Sequence, residues 1–235
     1  MVLFGTLMNG LGILVGGVLG LFLNRVPERV KETTMNGIGL AVLLIGLQMA
    51  IQSNEIIVLL LSLLLGAFIG EGLRLEEKFE NLGGWVEKRF KKNSSSSVSQ
   101  GFMTASLIFV IGAMAVVGAL DSGIRGDHDV LVTKAIIDGF VALVLSTTLG
   151  FGVLFSIIPV LLYEGGITLL ATQIQKWVPE TFLDGFIVEM TATGGLLIIA
   201  IGLNLLNITK IRVANLLPSL VMVGFVLYVS TRITG

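Results

Sequence analysis

The sequence contains no cysteine and a single histidine. Without thiols there are no disulfides, no thiolate nucleophiles and no cysteine-ligated metals, and the redox compartment leaves no mark on the chain. A lone His128 removes the histidine-rich constellations on which many metal and acid–base sites are built. Charge is scarce too: 13% of residues are charged, about half of what a soluble domain usually carries. Net charge is −1, so no global field recruits nucleic acid or anionic lipid. No H-E-x-x-H, G-x-S-x-G or phosphate-binding loop is present. We therefore expect neither an enzyme nor a cofactor nor a nucleic-acid partner. Gly126-Asp127-His128-Asp129 gathers three ligand types, but adjacent side chains cannot all face one ion without a sharp turn. It reads as a loop, and no metal is assigned.

Apolar residues are what the chain has in excess: 54% of the sequence, with mean hydropathy +0.96. Several apolar runs are long enough to cross a bilayer, so the expected solvent is lipid. The first run lacks a basic n-region and a small-residue cleavage site, which predicts a retained helix.

One pattern occurs twice. Gly39–Gln48 reads Gly-Leu-x4-Ile-Gly-Leu followed by a carboxamide, and Gly195–Asn204 repeats it 156 positions later (195 minus 39). Val26-Pro27-Glu28 is echoed by Val178-Pro179-Glu180 upstream, and Ser62-Leu63 by Ser219-Leu220 downstream. Echoes in the same order favour a duplication over chance likeness of apolar segments.

The runs predict an all-α polytopic membrane protein of about eight spans: 2–23, 35–52, 56–73, 101–120, 132–155, 158–176, 184–206 and 213–232. Pro159 separates the fifth span from the sixth, since proline suits a helix's first turn and disrupts its interior; one long bent helix there would make seven. Residues 74–100 form the long polar segment. Leu75, Phe79, Leu82, Val86 and Phe90 recur at helical spacing, fitting a surface helix or a solvated linker, and 93–99 is a serine-rich joint. The expected division is 1–73 (first repeat), 74–100 (linker), 101–156 (central hairpin) and 157–235 (second repeat, inverted), a 3+2+3 plan. Lysine and arginine concentrate in 24–34 and 74–100, which puts those loops in the cytoplasm and loop 121–131 and both termini outside.

Polar groups inside spans are expensive and usually face a cavity or a partner. Asp138 lies one helical turn from Lys134, as an ion pair or as an ion or proton site. Glu164, beside Gly165-Gly166, reads either as a proton carrier or as a hydrogen-bonded neutral acid. Glu189 shares a face with Thr193 and Asn204. Gln48 and Asn204, at matching positions of two inverted halves, would meet near mid-membrane, where such transporters bind their substrates; the alternative is helix-packing glue. Asn9 shares a small-residue stripe with Gly12, Gly16 and Gly20, a candidate homodimer face.

Phe4-Gly5-Thr6 with Asn9, Pro27-Glu28, Gly66-x3-Gly70-Glu71, Gly126-Asp127 with Lys134-x3-Asp138, Pro159-x3-Tyr163, Thr193-Gly194-Gly195-Leu196 and Asn215-Leu-Leu-Pro218 follow one another along nearly the whole chain. In this order the sequence resembles the bacterial integral membrane proteins catalogued as domain of unknown function 554. Glu164 departs from the resemblance, where an uncharged glutamine is expected. The resemblance implies a bacterial inner-membrane protein and supplies no reaction. Two functions remain open: a small transporter or channel-like carrier for an ion or solute, with Na+ or H+ as coupling species and Asn9, Gln48, Asp138, Glu189 and Asn204 lining a site between the repeats, or a non-transporting scaffold whose polar groups only pack helices.

Overall fold

A computed structural model describes residues 1–23, 28–79, 81 and 98–234. Most of the 74–100 linker, with Leu82, Val86, Phe90 and the serine run to residue 97, lies outside the described residues, as do Arg25 and Pro27. Every regular element among the described residues is helical. They are α1 (Phe4–Phe22), α2 (Glu28–Ala50), α3 (Ile56–Leu73), α4 (Val98–Val110), α5 (Ala113–Ile124), α6 (Asp129–Leu149), α7 (Ile157–Trp177), α8 (Glu180–Leu205) and α9 (Pro218–Thr234), with 3-10 turns at Gly150–Ser156 and Val213–Leu216.

Large apolar side chains cover the outside: Phe68 is 85% exposed, and Leu64, Ile136, Leu162 and Val221 are exposed as well. Such a surface would aggregate in water and is what lipid requires. Five described helical stretches are long and apolar enough to cross a membrane, or six when α4 and α5 count as one span broken by a 60° bend. The apolar part of α2, Met35–Ala50, is shorter. The expected fourth span is thus two half-helices. Gly112, at φ +147°, supplies the backbone conformation that breaks it, one that a residue with a Cβ rarely adopts.

The chain forms two compact units, Met1–Met35 with Glu80–Trp177 and Asn36–Phe79 with Val178–Gly235. This grouping differs from the 3+2+3 division, because α1 and α7 join the central segment, and α3 and α2 from Asn36 on join α8–α9. Glycine contacts explain it. In the first unit, a Cβ on Gly12, Gly16 or Gly20 would strike the backbone at Ala135, Gly139 and Leu143 respectively. Both series rise together, so α1 and α6 run parallel with backbones touching, the packing small residues permit where no hydrophobic effect drives helices together. The stripe read as a homodimer face is thereby occupied within the chain. On its other side α1 meets α7 in reverse order: Gly10 faces Ile157 and Leu161, and Leu3 and Thr6 face Gly165. Residues 129–177 therefore double back through the 3-10 turn at 150–156, where Gly150 has φ +70°.

In the second unit the two motif copies lie against each other. Gly46 abuts the backbone of Gly195 and Ile199, and Gly202 abuts Leu43 and lies beside Gly39. The order reverses, so α2 and α8 are antiparallel, and the Gly46–Gly195 contact has its counterpart in Gly202–Gly39. Helices α3 and α9 form a second antiparallel pair, with Gly66 on Ser219 and Gly70 on Asn215 just before α9.

Candidate functional site

Four sequence-flagged residues converge in the first unit. Asn9 from α1 and Glu164 from α7 have no exposed surface, and Lys134 and Asp138 on α6 are 5% exposed each. The i, i+4 spacing on α6 stacks Lys134 and Asp138 on one face, where they form a salt bridge. Lys134 Nζ also lies 3.4 Å from Glu164 Oε1 and donates to the main-chain oxygen of Phe109 at 2.7 Å. Phe109 sits in the last turn of α4, where carbonyls lose their helical partners. Asn9 Nδ2 donates to Glu164 Oε1 at 2.8 Å. The Phe109 carbonyl was not legible in the sequence; Gly112, which frees it, was its one signal.

Donors and acceptors do not balance here. Glu164 Oε2 and Asn9 Oδ1 are buried without a partner among the described residues, as are the hydroxyls of Thr6, three residues before Asn9, and Thr168, one turn beyond Glu164. Leaving such groups unmet costs about 1–3 kcal/mol each. With all three ionisable groups charged, the cluster carries one unmatched negative charge, which a proton or a monovalent cation neutralises.

The other candidates belong to the second unit. Glu189 is buried, but its carboxylate accepts from Ser53 Oγ (2.6 Å), Asn54 N (2.8 Å) and Glu55 N (3.0 Å). It therefore ties α8 to the turn that leads into α3 and satisfies two amides of that turn. Asn204 stitches the turn after α8: its Oδ1 accepts from Ile211 N (2.8 Å) and Thr209 Oγ1 (3.0 Å), and its Nδ2 donates to Ile211 O (2.7 Å). Gln48 is exposed. In the antiparallel register Gln48 lies level with Gly195 and Asn204 with Gly39, roughly 13 Å apart along the helix axis, so the carboxamides do not meet. Thr193 is buried, its hydroxyl unpartnered among the described residues.

Sequence reasoning also missed the second unit's other turn. Glu71 accepts from Arg212 Nη1 and Asn215 Nδ2, both at 2.6 Å. Asn215 Oδ1 accepts from Glu76 N, and the Glu76 carboxylate accepts from Ala214 N, both at 2.8 Å. These bonds fasten the end of α3 to the start of the Val213–Leu216 turn. In the first unit, Gly126-Asp127-His128-Asp129 forms a loop turn: Gly126 has φ +68°, Asp127 Oδ1 accepts from Asp129 N at 3.0 Å, and His128 Nδ1 is hydrogen-bonded to Ser122 Oγ at 2.5 Å.

The class these features define is a polytopic α-helical membrane protein with an ionisable cluster buried beside a broken helix. Comparison with known proteins narrows this. The chain belongs to the family described as "Protein of unknown function (DUF554)", which matches residues 4–228. It is similar to the "Uncharacterized membrane protein YdfK" of Bacillus subtilis, with 30% identity over 232 residues, 97% of this chain and 96% of that protein. It is also similar to the "Uncharacterized protein YqgA" of Escherichia coli, with 30% identity over 223 residues, 93% of each. No solved structure matches it.

Proposed function

We propose that the protein is a small bacterial inner-membrane carrier for an ion or small solute, coupled to a proton or monovalent cation at the α1–α6–α7 cluster. The observation behind this reading is Glu164, which has no exposed surface and leaves one carboxylate oxygen unpartnered among the described residues, beside a lysine–aspartate pair and a helix break. An ionisable group kept in the membrane at such cost is by default a functional one, and broken helices are where carriers hold coupling ions.

The proposed topology has eight crossings: the two legs of 129–177 count separately, the α4–α5 pair counts once, and Met35–Ala50 crosses despite its length. Loops 24–34 and 74–100 face the cytoplasm, and loop 121–131 and both termini face outside. The parallel α1–α6 pair and the antiparallel α1–α7, α2–α8 and α3–α9 pairs agree with those directions. The repeat we favour is an inverted one relating α2–α3 to α8–α9.

The test is thermal unfolding of the detergent-purified protein in Na+, K+, Li+, Mg2+ and across pH, with Asp138→Asn, Glu164→Gln and Glu189→Gln, and with flux measured in liposomes. A ligand at 100 times its Kd stabilises by about 2.7 kcal/mol. The carrier reading expects an ion- or pH-specific shift that Asp138→Asn and Glu164→Gln abolish and a folded Glu189→Gln keeps. A second reading, a scaffold that transports nothing, is favoured by Glu189 and Asn204, both spent on fastening turns. It would be adopted if no ion or pH acted specifically and all three variants were simply less stable.

A further inference from the structure

The unpartnered oxygens between α1 and α7 support a more specific assignment, which rests on the reading of this cluster as a coupling site. Thr6 and Asn9 share one face of α1, and Glu164 and Thr168 share one face of α7, because residues three or four apart are neighbours on a helix. The hydrogen bond of 2.8 Å from Asn9 to Glu164 joins the two faces. The helices are antiparallel, so the step from Asn9 back to Thr6 runs alongside the step from Glu164 on to Thr168. Thr6 Cγ2 accordingly lies 3.8 Å from where a Cβ on Gly165 would stand. The four side chains are at most 2% exposed. Each keeps an oxygen unpartnered among the described residues: Thr6 Oγ1, Asn9 Oδ1, Glu164 Oε2 and Thr168 Oγ1. The carboxylate fixes the Asn9 amide, since the opposite orientation would set oxygen against oxygen. Packing also loosens along these rows. A Cβ on Gly10 would meet Leu161 at 2.9 Å, whereas one on Gly165 meets only Leu3 and Thr6, at 3.8 Å, and one on Gly166 meets nothing among the described residues within 4 Å.

We propose that these four oxygens bind a dehydrated alkali cation, beside the Lys134–Asp138 pair and without displacing it. Charge decides the class of ion. Asp138 and Glu164 set against Lys134 leave one negative charge, which a singly charged ion neutralises, whereas a doubly charged ion would leave the dry cluster positive. Lys134 Nζ and Asn9 Nδ2 both lie against Glu164 Oε1, at 3.4 and 2.8 Å. Oε2 is therefore the oxygen left for a second cation. A carboxylate, a carboxamide oxygen and two hydroxyls are hard donors. They are too few for Ca2+, which takes about six to eight oxygens.

The test is thermal unfolding of the full chain in detergent at about pH 8, where carboxylates are ionised. LiCl, NaCl, KCl or CaCl2 replaces choline chloride at constant ionic strength. At least one alkali ion should stabilise the wild type saturably, and more than Ca2+ does. In choline, Thr6→Val and Thr168→Val should melt no lower than the wild type, because each removes a hydroxyl that has no partner to lose. Each should nevertheless weaken the apparent Kd for the alkali ion about tenfold. Thr6→Ser, which keeps the oxygen, should retain the response, and so should Thr193→Val, whose unpartnered hydroxyl belongs to the second unit. A purely structural role for the two hydroxyls gives the reverse: a lower melt in choline and an unchanged affinity. The proposal is overturned if either valine variant folds and binds the ion as tightly as the wild type, or if neither folds in choline. It is also overturned if Ca2+ stabilises better than every alkali ion, or if no alkali ion acts on the wild type. In that last case a pH-specific shift leaves the carrier reading standing, whereas no ion or pH effect at all ends both.

Discussion

Each unit buries a glutamate, and the two are treated in opposite ways. Glu189, in the second unit, meets a hydroxyl and two backbone amides, so its charge is shared by the turn that leads into α3. Glu164, in the first, receives one amide bond from Asn9, shares an ammonium with Asp138, and leaves an oxygen without a partner among the described residues. A carboxylate satisfied by the donors of a turn is a fastening, and its burial cost is offset on the spot. One left half-satisfied in the same apolar setting is a strain the fold tolerates for another reason. Burial alone therefore does not mark a site; the balance of partners does.

The sharpest way to break this contrast is Glu189→Ala. It leaves two backbone amides and the Ser53 hydroxyl without their acceptor, so unfolding in detergent should be easier by about 3 kcal/mol. A melt indistinguishable from wild type would remove the fastening from the comparison. Next come the glycines that bring backbones into contact. Gly16→Ala in the first unit and Gly46→Ala in the second should each lower stability by about 2 kcal/mol, because the new methyl meets main chain that cannot rotate away. A cost at one and none at the other would mean that a single unit is tightly packed. Glu164→Gln should change stability by no more than about 1 kcal/mol in either direction, since removing a poorly paired buried charge is often neutral. It should still erase any ion- or pH-specific shift in the melt; a collapse as large as that of Glu189→Ala would make both acids structural. The smallest effects belong to Gly37→Ala and Gly166→Ala, which meet nothing among the described residues within 4 Å and should raise stability by about 0.5 kcal/mol through helix propensity alone.

Local chemistry was legible in the sequence. The spacing of Lys134 and Asp138 places both on one helix face, Pro159 falls in the first turn of α7, and 56–73 has the bounds of α3. What could not be read is pairing at a distance. Asn9 and Glu164 are 155 positions apart, and apolar helices carry no mark of which neighbour they prefer. Gly12, Gly16 and Gly20 announce a close approach, yet any small-residue face would match them, so α6 was no more legible as partner than a second copy of the chain. Gly112 lies in a run that reads as one span, because glycine is common in membrane helices that do not break. The role of Glu189 depends on a turn more than 130 residues earlier, and nothing around Glu189 hints at it.

The parallel pairing of α1 with α6 also has a consequence for how the chain is made. At the usual pace of synthesis, about 5–20 residues per second, on the order of ten seconds separate the glycine stripe of α1 from the stretch of α6 that covers it. During that interval the stripe rests against lipid or a temporary neighbour, and Asn9 sits in the membrane without Glu164. Assembly of the first unit therefore has an order in time: α1 is inserted early and completed late. Slowing translation between the two helices would lengthen the period in which the newborn chain is most exposed to quality control.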